Sequence, residues 1–212
     1  MKPYFQDEHV TIYRGDCREV LPSLPLVDVV LTDPPYPNGM GHFTDGIVAA
    51  TDVLRSFKCA RWLVFWDELS TPPVALPLVA HHIWFRTNTN RPDNYESIYE
   101  FNTDCIKRAS RVFPFAVIAE GLTGCFEATG HPTQKNKKLM SAIIQQCAIT
   151  GVILDPFMGS GTTLRAAKDC GIKAIGIEIE ERYCEIAARR MAQQVLTFDD
   201  VVTQPQQLSV LQ

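Results

Sequence analysis

The chain has 212 residues, enough for one generous domain or one domain with a small insertion. Apolar residues make up 46% and charged residues 21%, which excludes a disordered or fibrous chain. The formal net charge of −4 gives no global basic signal, so a nucleic-acid partner would need a local basic surface.

In chain order, "HVTIY" is a short alternating strand ending at Gly15-Asp16. "LVDVVLT" is a continuous apolar run rich in β-branched residues, which predicts a strand buried on both faces. "DGIVAATDVLRSFK" has helical spacing at Ile47, Ala50, Leu54 and Phe57, and "RWLVFW" is a second buried strand. "ELSTPPVALPLVA" reads as a proline-interrupted helical segment. "HHIWFRT" and "ESIYEF" read as strands, and the pattern loosens from Asn102 to Gly130. "TQKNKKLMSAIIQQCAI" carries one helical stripe of Leu139, Met140, Ile143, Ile144, Cys147 and Ala148. "GVILDPF" is a strand, "GTTLRAAKDC" a helix closed by Gly171, "IKAIGIEIE" a strand and "EERYCEIAARRMAQQ" a helix. The alternation predicts an α/β fold, a doubly wound and largely parallel sheet with helices on both faces. The expected organisation is one domain over 1–212, with a loose polar tail at 195–212.

Seven cysteines (17, 59, 105, 125, 147, 170, 184) lack Cys-x-x-Cys spacing, and no histidine stands at zinc-ligand distance from them. Buried reduced thiols, no metal and a cytoplasmic location are the expectation. "MKPYFQDEHV" lacks the apolar core of a signal peptide, and no run is long enough for a membrane span.

Three motifs carry chemistry. In "VILDPFMGSGTTLRAA" a strand runs into Asp155-Pro156, then a glycine turn with Gly159 and Gly161, then a helix whose N-terminus faces a ligand. A phosphate-binding P-loop would need a lysine before Thr162, and Gly161 stands there. Glu178 ends the next strand, where nucleotide-binding folds place a ribose-gripping carboxylate. These two motifs point to an adenosine-type cofactor without separating a dinucleotide from S-adenosylmethionine. The third, "DPPY", puts Asp33 at the carboxyl edge of the sheet. Pro34 and Pro35 stiffen the loop and leave carbonyl acceptors, and Tyr36 offers a flat face, a set suited to a planar group with an exocyclic amine. Taken alone, a proline-rich turn would be the commoner explanation.

"DPPY" early, "HPTQK" at His131 to Lys135 and "DPFMGSGTT" late, in that order, resemble the permuted (β-class) DNA amino-methyltransferases over nearly the whole chain. The resemblance implies a Rossmann-like class I S-adenosylmethionine-dependent fold, the catalytic half preceding the cofactor half. It also implies roles. Asp155, Pro156, Phe157, Gly159, Ser160, Gly161 and Thr162 would line the cofactor site, with Glu178 on the ribose, Ile179 beside it, Asp16 on the adenine amine and Cys17 next to it. His131, Pro132, Thr133, Gln134 and Lys135 would close over the methionine end, and Asp33 would border both sites. The family usually follows "HPTQK" with proline. Asn136 stands there instead, which leaves the start of the next helix open.

The implied reaction moves a methyl group to the exocyclic N6 amine of a flipped-out adenine. Asp33 and the Pro34 carbonyl would accept the amine's N–H bonds and localise its lone pair, and Tyr36 would stack on the base. N6-adenine members carry Asp at this position, whereas N4-cytosine members more often carry Ser. A cytosine-N4 enzyme, an RNA or protein amine methylase, and a non-catalytic nucleic-acid binder are the alternatives. Phosphate contacts are expected from Arg86, Arg91, Lys107, Arg108, Arg111, Lys135, Lys137 and Lys138, each cluster set against a plain solvated face. Target recognition would fall in 102–130, short enough to suggest a relaxed site or a homodimer. Gln207-Leu208-Ser209-Val210-Leu211 resembles the pentapeptides that bind the bacterial sliding clamp, set against an unstructured end. Whether a restriction–modification nuclease accompanies the chain stays open.

Overall fold

The computed structural model describes residues 1–35, 44–66, 72–88, 94–117 and 134–193. Tyr36, Arg91, His131, Pro132, Thr133 and the Gln207–Leu211 pentapeptide lie outside the described residues, as does 118–130 of the expected recognition segment.

The strands are β1 (Phe5–Gln6), β2 (Val10–Arg14), β3 (Val29–Thr32), β4 (Arg61–Trp66), β5 (Leu78–Arg86), β6 (Tyr95–Asn102), β7 (Val112–Phe115), β8 (Val152–Asp155) and β9 (Lys173–Glu178). The helices are α1 (Cys17–Val20), α2 (Thr44–Ser56), α3 (Lys137–Gln146), α4 (Thr162–Asp169) and α5 (Glu181–Ala192). Among the described residues the strands form one nine-stranded sheet in the order β1-β2-β9-β8-β3-β4-β6-β5-β7. All but β1 and β6 point the same way.

Strand side chains alternate between two cores. Val29, Leu31, Leu63, Phe65 and Ile153 join the apolar stripes of α3, α4 and α5 on one face. Val30, Trp62, Val64, Trp66, Leu154 and Ile175 meet α1 and α2 on the other. This is why "VVLT" of β3 is buried at every position, as the continuous apolar run predicts. In α3, Leu139, Met140, Ile143 and Ile144 all lie at the core, each contributing about 1.5–3 kcal/mol by burial.

Two expectations need correction, and one open point closes. The segment read as a proline-interrupted helix has no helix in its described part: Pro72 to Pro77 is irregular and Leu78 already begins β5. Its prolines remove helical N–H donors, while β-branched and apolar residues follow at strand spacing. The loosely patterned stretch after Asn102 contains β7, which pairs with β5 in parallel from Ile83–Val112 to Arg86–Phe115. Asn136, the departure from the family's proline, is the N-cap of α3: its Oδ1 accepts the Lys138 N–H at 2.8 Å. Its Nδ2 also donates to the Ala116 carbonyl at 2.8 Å, tying the helix start to the segment after β7.

The topology creates a crevice. From β3 the chain passes through α2 to β4 on one side; from β8 it passes through α4 to β9 on the other. Since β3 and β8 are paired neighbours, their carboxyl ends flank the switch point where open α/β sheets bind ligands. No helix among the described residues is long and apolar enough to cross a membrane.

Candidate active site

Asp33 follows β3 directly, and Asp155 ends β8 beside it. Thr32 Oγ1 donates to Asp155 Oδ1 at 2.7 Å, a buried bond that clasps the two strand ends. The same oxygen accepts the Phe157 N–H at 3.2 Å, so Asp155 shapes the turn that follows. Burial raises its carboxyl pKa, and bonds from Thr163 and Thr32 offset this only in part. Asp155 is therefore spent inside the protein: it builds the cofactor-side turn rather than offering a free carboxylate.

The turn itself is held by α5 and β9. Gly159 and Gly161 have φ of 52° and 78°, the left-handed region that favours glycine. At Gly161 a Cβ would stand 2.8 Å from Ala187 Cβ, so close packing of α5 also demands glycine there. Ser160 and Thr162 are buried, and Arg190 Nη1 donates to the Ser160 carbonyl at 2.6 Å and to Thr162 Oγ1 at 3.2 Å. Sequence reasoning missed Arg190, because a basic residue near a helix C-terminus reads as an ordinary dipole partner.

Glu178 reaches the turn from β9. Its Oε2 accepts the Gly159 N–H at 3.1 Å and its Oε1 accepts the Glu180 N–H at 2.8 Å. Burial raises its pKa, with these backbone donors pulling the other way. Each oxygen keeps further acceptor capacity. Ile179 beside it is 63% exposed, an apolar side chain left uncovered next to a carboxylate. The Gly15 N–H donates to the Glu178 carbonyl at 3.0 Å, bringing Asp16 and Cys17 to the same edge. Asp16 caps α1 and pairs with Arg18 at 2.6 Å, which holds its pKa below the ordinary value. Cys17 is buried, and burial with the neighbouring Asp16 pushes its thiol up to about 11, so it is no nucleophile.

The other half of the crevice holds a chain of charges. Lys135 Nζ lies 2.7 Å from Asp33 Oδ2 and 2.9 Å from Glu96 Oε1. It also sits 5.0 Å from the Phe65 ring centroid and 5.8 Å from that of Trp84. Glu96, on β6, pairs in turn with Arg86 of β5 at 2.8 Å. Burial pushes the Asp33 carboxyl up to about 6; Lys135 pulls it down, while Glu96 and Asp155 push it up. Burial opposes ionisation of Glu96 as well, but Lys135 and Arg86 hold its pKa below the ordinary glutamate value. Lys135 thus stands at the Asp33 carboxylate, a contact the cofactor role implied for it did not include. Glu96 was missed altogether. Its signal was a charged residue inside the apolar strand "YESIYEF".

The expected phosphate-binding residues divide. Arg86 lies at the Asp33 edge but is bonded to Glu96 and packed 5.3 Å from the Trp84 ring centroid. Lys137 opens α3 and pairs with Asp169 at 3.0 Å. The "KRASR" cluster lies at the opposite edge of the sheet. Lys107 Nζ donates to the Leu78 carbonyl, Arg108 pairs with Asp104 at 2.6 Å, and Arg111 Nε donates to the Gln146 carbonyl at 3.0 Å. The cause is topological: β6 runs antiparallel, so the chain leaves it at the edge away from Asp33.

Among the described residues His82, Glu100 and Cys147 bring ligand-type atoms within 4.8 Å of one another. His82 Nδ1 accepts the Arg111 N–H at 3.1 Å, so the ring proton is on Nε2, facing Glu100 Oε2 at 3.1 Å. Arg61 saturates the other carboxylate oxygen at 2.8 Å. A protonated Nε2 has no lone pair for a metal, and the group is a closed ion-pair network.

Comparison with known proteins agrees with this layout. The family model described as a DNA methylase, of the N6/N4 type, matches residues 121–189, from ahead of α3 through the glycine turn into α5. The chain is 26% identical to the type II methyltransferase M.ScaI of Streptomyces caespitosus, over 90% of this chain and 84% of that protein. It is 25% identical to the type II methyltransferase M2.LlaDCHI of Lactococcus lactis subsp. cremoris, over 90% of this chain and 92% of that protein. Among solved structures, M1.HpyAVI in complex with SAM superposes with a TM-score of 0.62 at 23% identity, covering 85% of this chain and 99% of that one. The cytosine-N4-specific PvuII DNA methyltransferase gives 0.66 at 17% identity, covering 95% and 93%. These superpositions show a shared Rossmann-like fold.

Proposed function

The chain belongs to the DNA amino-methyltransferase family, and from that membership we propose that it methylates the N6 amine of an adenine flipped out of duplex DNA, with S-adenosylmethionine as donor. The observation that carries the reading is Asp33 at the carboxyl end of β3, across the switch point from the glycine turn. A half-buried acceptor and an adenosine-type site thus share one crevice.

The cofactor side fits a nucleoside. Glu178 offers acceptor capacity for ribose hydroxyls, exposed Ile179 offers an apolar face for a ring, and the left-handed turn at Gly159 and Gly161 brings main chain to the crevice. Gln134, Phe157, Pro156 and the segment at His131, Pro132 and Thr133 would complete it. Bound S-adenosylmethionine supplies an electrophilic methyl group on a sulfonium. The protein's part is to prepare the acceptor. An exocyclic amine is a weak nucleophile because its lone pair is delocalised into the ring. Asp33 and the Pro34 carbonyl accept its N–H bonds, draw the nitrogen towards tetrahedral geometry and free the lone pair. The electrostatic gain rises as positive charge develops on that nitrogen. The prolines 34 and 35 limit how far the loop can yield, and Tyr36 would stack on the base for about 1–3 kcal/mol. Phosphates would be met by Arg86, at the Asp33 edge, and by Lys137, at the start of α3, and not by Lys107, Arg108 or Arg111 at the far edge.

Aspartate rather than serine at position 33 favours adenine over cytosine. Incubating the protein with labelled S-adenosylmethionine and duplex DNA, RNA or protein, then digesting and identifying the product, tests the reading. N6-methyladenine in DNA is the expected product. N4-methylcytosine in DNA would move the target base, and label in RNA or protein alone would overturn the DNA assignment.

A further inference from the structure

One ammonium group between a buried carboxylate and a half-buried one is an unusual arrangement next to an amine-binding site. Lys135 Nζ contacts Asp33 at 2.7 Å and Glu96 at 2.9 Å, on a floor formed by Phe65 and Trp84. Its side chain is only 12% exposed and that of Glu96 7%, whereas Asp33, at the mouth, is 22% exposed. Resting on the function proposed above, we propose that Lys135 and Glu96 are positioning residues for Asp33. The Lys135 ammonium holds the Asp33 carboxylate until a target amine arrives, and Glu96 then takes the whole ammonium so that Asp33 can accept the amine.

The geometry makes the exchange local. Both carboxylates already touch the same nitrogen, so the transfer needs no new partner and no desolvation of a free cation. Arg86 at 2.8 Å keeps Glu96 oriented throughout, and Asn136 fixes the backbone next to Lys135 by capping α3. The ammonium is also a small mimic of what it gives way to, a nitrogen donating to Asp33 and gaining positive charge. As that charge develops, Asp33 must stay ionised. Among the described residues the groups facing it are Lys135 before α3, Glu96 on β6 and Asp155 on β8, with Arg86 on β5 one contact further out. Of these, Lys135 alone directly favours its charged form. Glu96 disfavours it by repulsion and by drawing on the same ammonium.

That opposition gives a test that a merely structural role would not meet. The Asp33 carboxyl is titrated by carbon-13 NMR in the DNA-free protein, and kcat/KM for duplex DNA is measured against pH, in wild type, Lys135→Met, Glu96→Gln and the double variant. Lys135→Met moves both the Asp33 titration and the acid limb of the rate profile to higher pH by about one unit or more. Glu96→Gln moves both to lower pH and lowers the plateau, since the ammonium now stays on Asp33. The double variant falls between the single ones, and Lys135→Arg keeps the limb near that of wild type. S-adenosylmethionine affinity stays within twofold in Glu96→Gln. Shifts in the same direction for both single variants, or no shift, overturn the proposal. If Lys135→Met does not fold, a Glu96→Gln titration that stays put overturns it alone. The NMR arm reads the charge coupling without turnover, so a wild type that fails to methylate DNA counts against the proposed function and leaves the coupling measured separately.

Discussion

One face of β6 carries two buried glutamates, four residues apart and therefore on the same side of the sheet, and they end in opposite situations. Glu100, at the edge away from the crevice, is closed in. Arg61 holds one oxygen, His82 the other, and Arg108 approaches at 3.6 Å. Arg61 is itself tied to the Cys147 carbonyl at 2.6 Å, and His82 to the Arg111 N–H. Glu96, at the crevice, shares its lysine with a second carboxylate that opens towards solvent. A buried anion whose partners are all anchored fixes a structure. One whose cation has two homes can release a neighbour. Burial and charge are the same at both ends; anchoring makes the difference.

The comparison breaks most readily on stability. Glu100→Ala leaves the Arg61 cation without its partner in a largely buried place and should cost about 3–5 kcal/mol in denaturant unfolding. Glu96→Ala should cost less, about 1–2 kcal/mol, because Lys135 keeps Asp33 and Arg86 is 26% exposed. Equal losses would mean the two ends are equally structural.

The pH dependence sharpens it, because the signs differ. Burial disfavours the charged form of Glu100, yet His82 and Arg61 hold its pKa below the unfolded value near 4.5. It therefore stabilises the fold above that value and loses this as pH falls through its folded pKa. Asp33 is raised from 3.8 to about 6, so the folded state binds the proton more tightly and stability declines as pH rises from about 4 to 6. Glu100→Gln should flatten the acid loss of stability, and Asp33→Asn should remove the decline between about pH 4 and 6. Unfolding midpoints across pH 3 to 8 check both.

The smallest effect concerns the helix that carries Lys135. Asn136→Ala removes the cap of α3 and should cost about 1 kcal/mol. It should also lower methylation more than Gln145→Ala at the other end of the helix, because it loosens the residue next to Lys135. Equal activity in the two variants would detach Lys135 from the cap.

Much of this was legible in the sequence because it is periodic or local. The run "VVLT", the stripe from Leu139 to Ile144 and the Asp-Pro ends of β3 and β8 report burial, helix face and crevice by spacing alone. The ion-pair chain was not, since Asp33, Glu96 and Lys135 come from three distant segments that meet only once the sheet order is known. Topology also misled the reading of Lys107 to Arg111. A basic cluster says nothing of which sheet edge it occupies until the direction of β6 is fixed. The cap at Asn136 could have been read, because asparagine before an apolar stripe is itself a helix-start signal.

The central claim is that the Asp33 carboxylate, and not only the cofactor crevice, makes the amine reactive. It is tested most directly by Asp33→Ala: S-adenosylmethionine binding by calorimetry alongside single-turnover methyl transfer to duplex DNA carrying the mapped target site. Binding within a few-fold of wild type, with transfer reduced by about a thousandfold or more, is the predicted result. Transfer at a near-normal rate in the variant would contradict it.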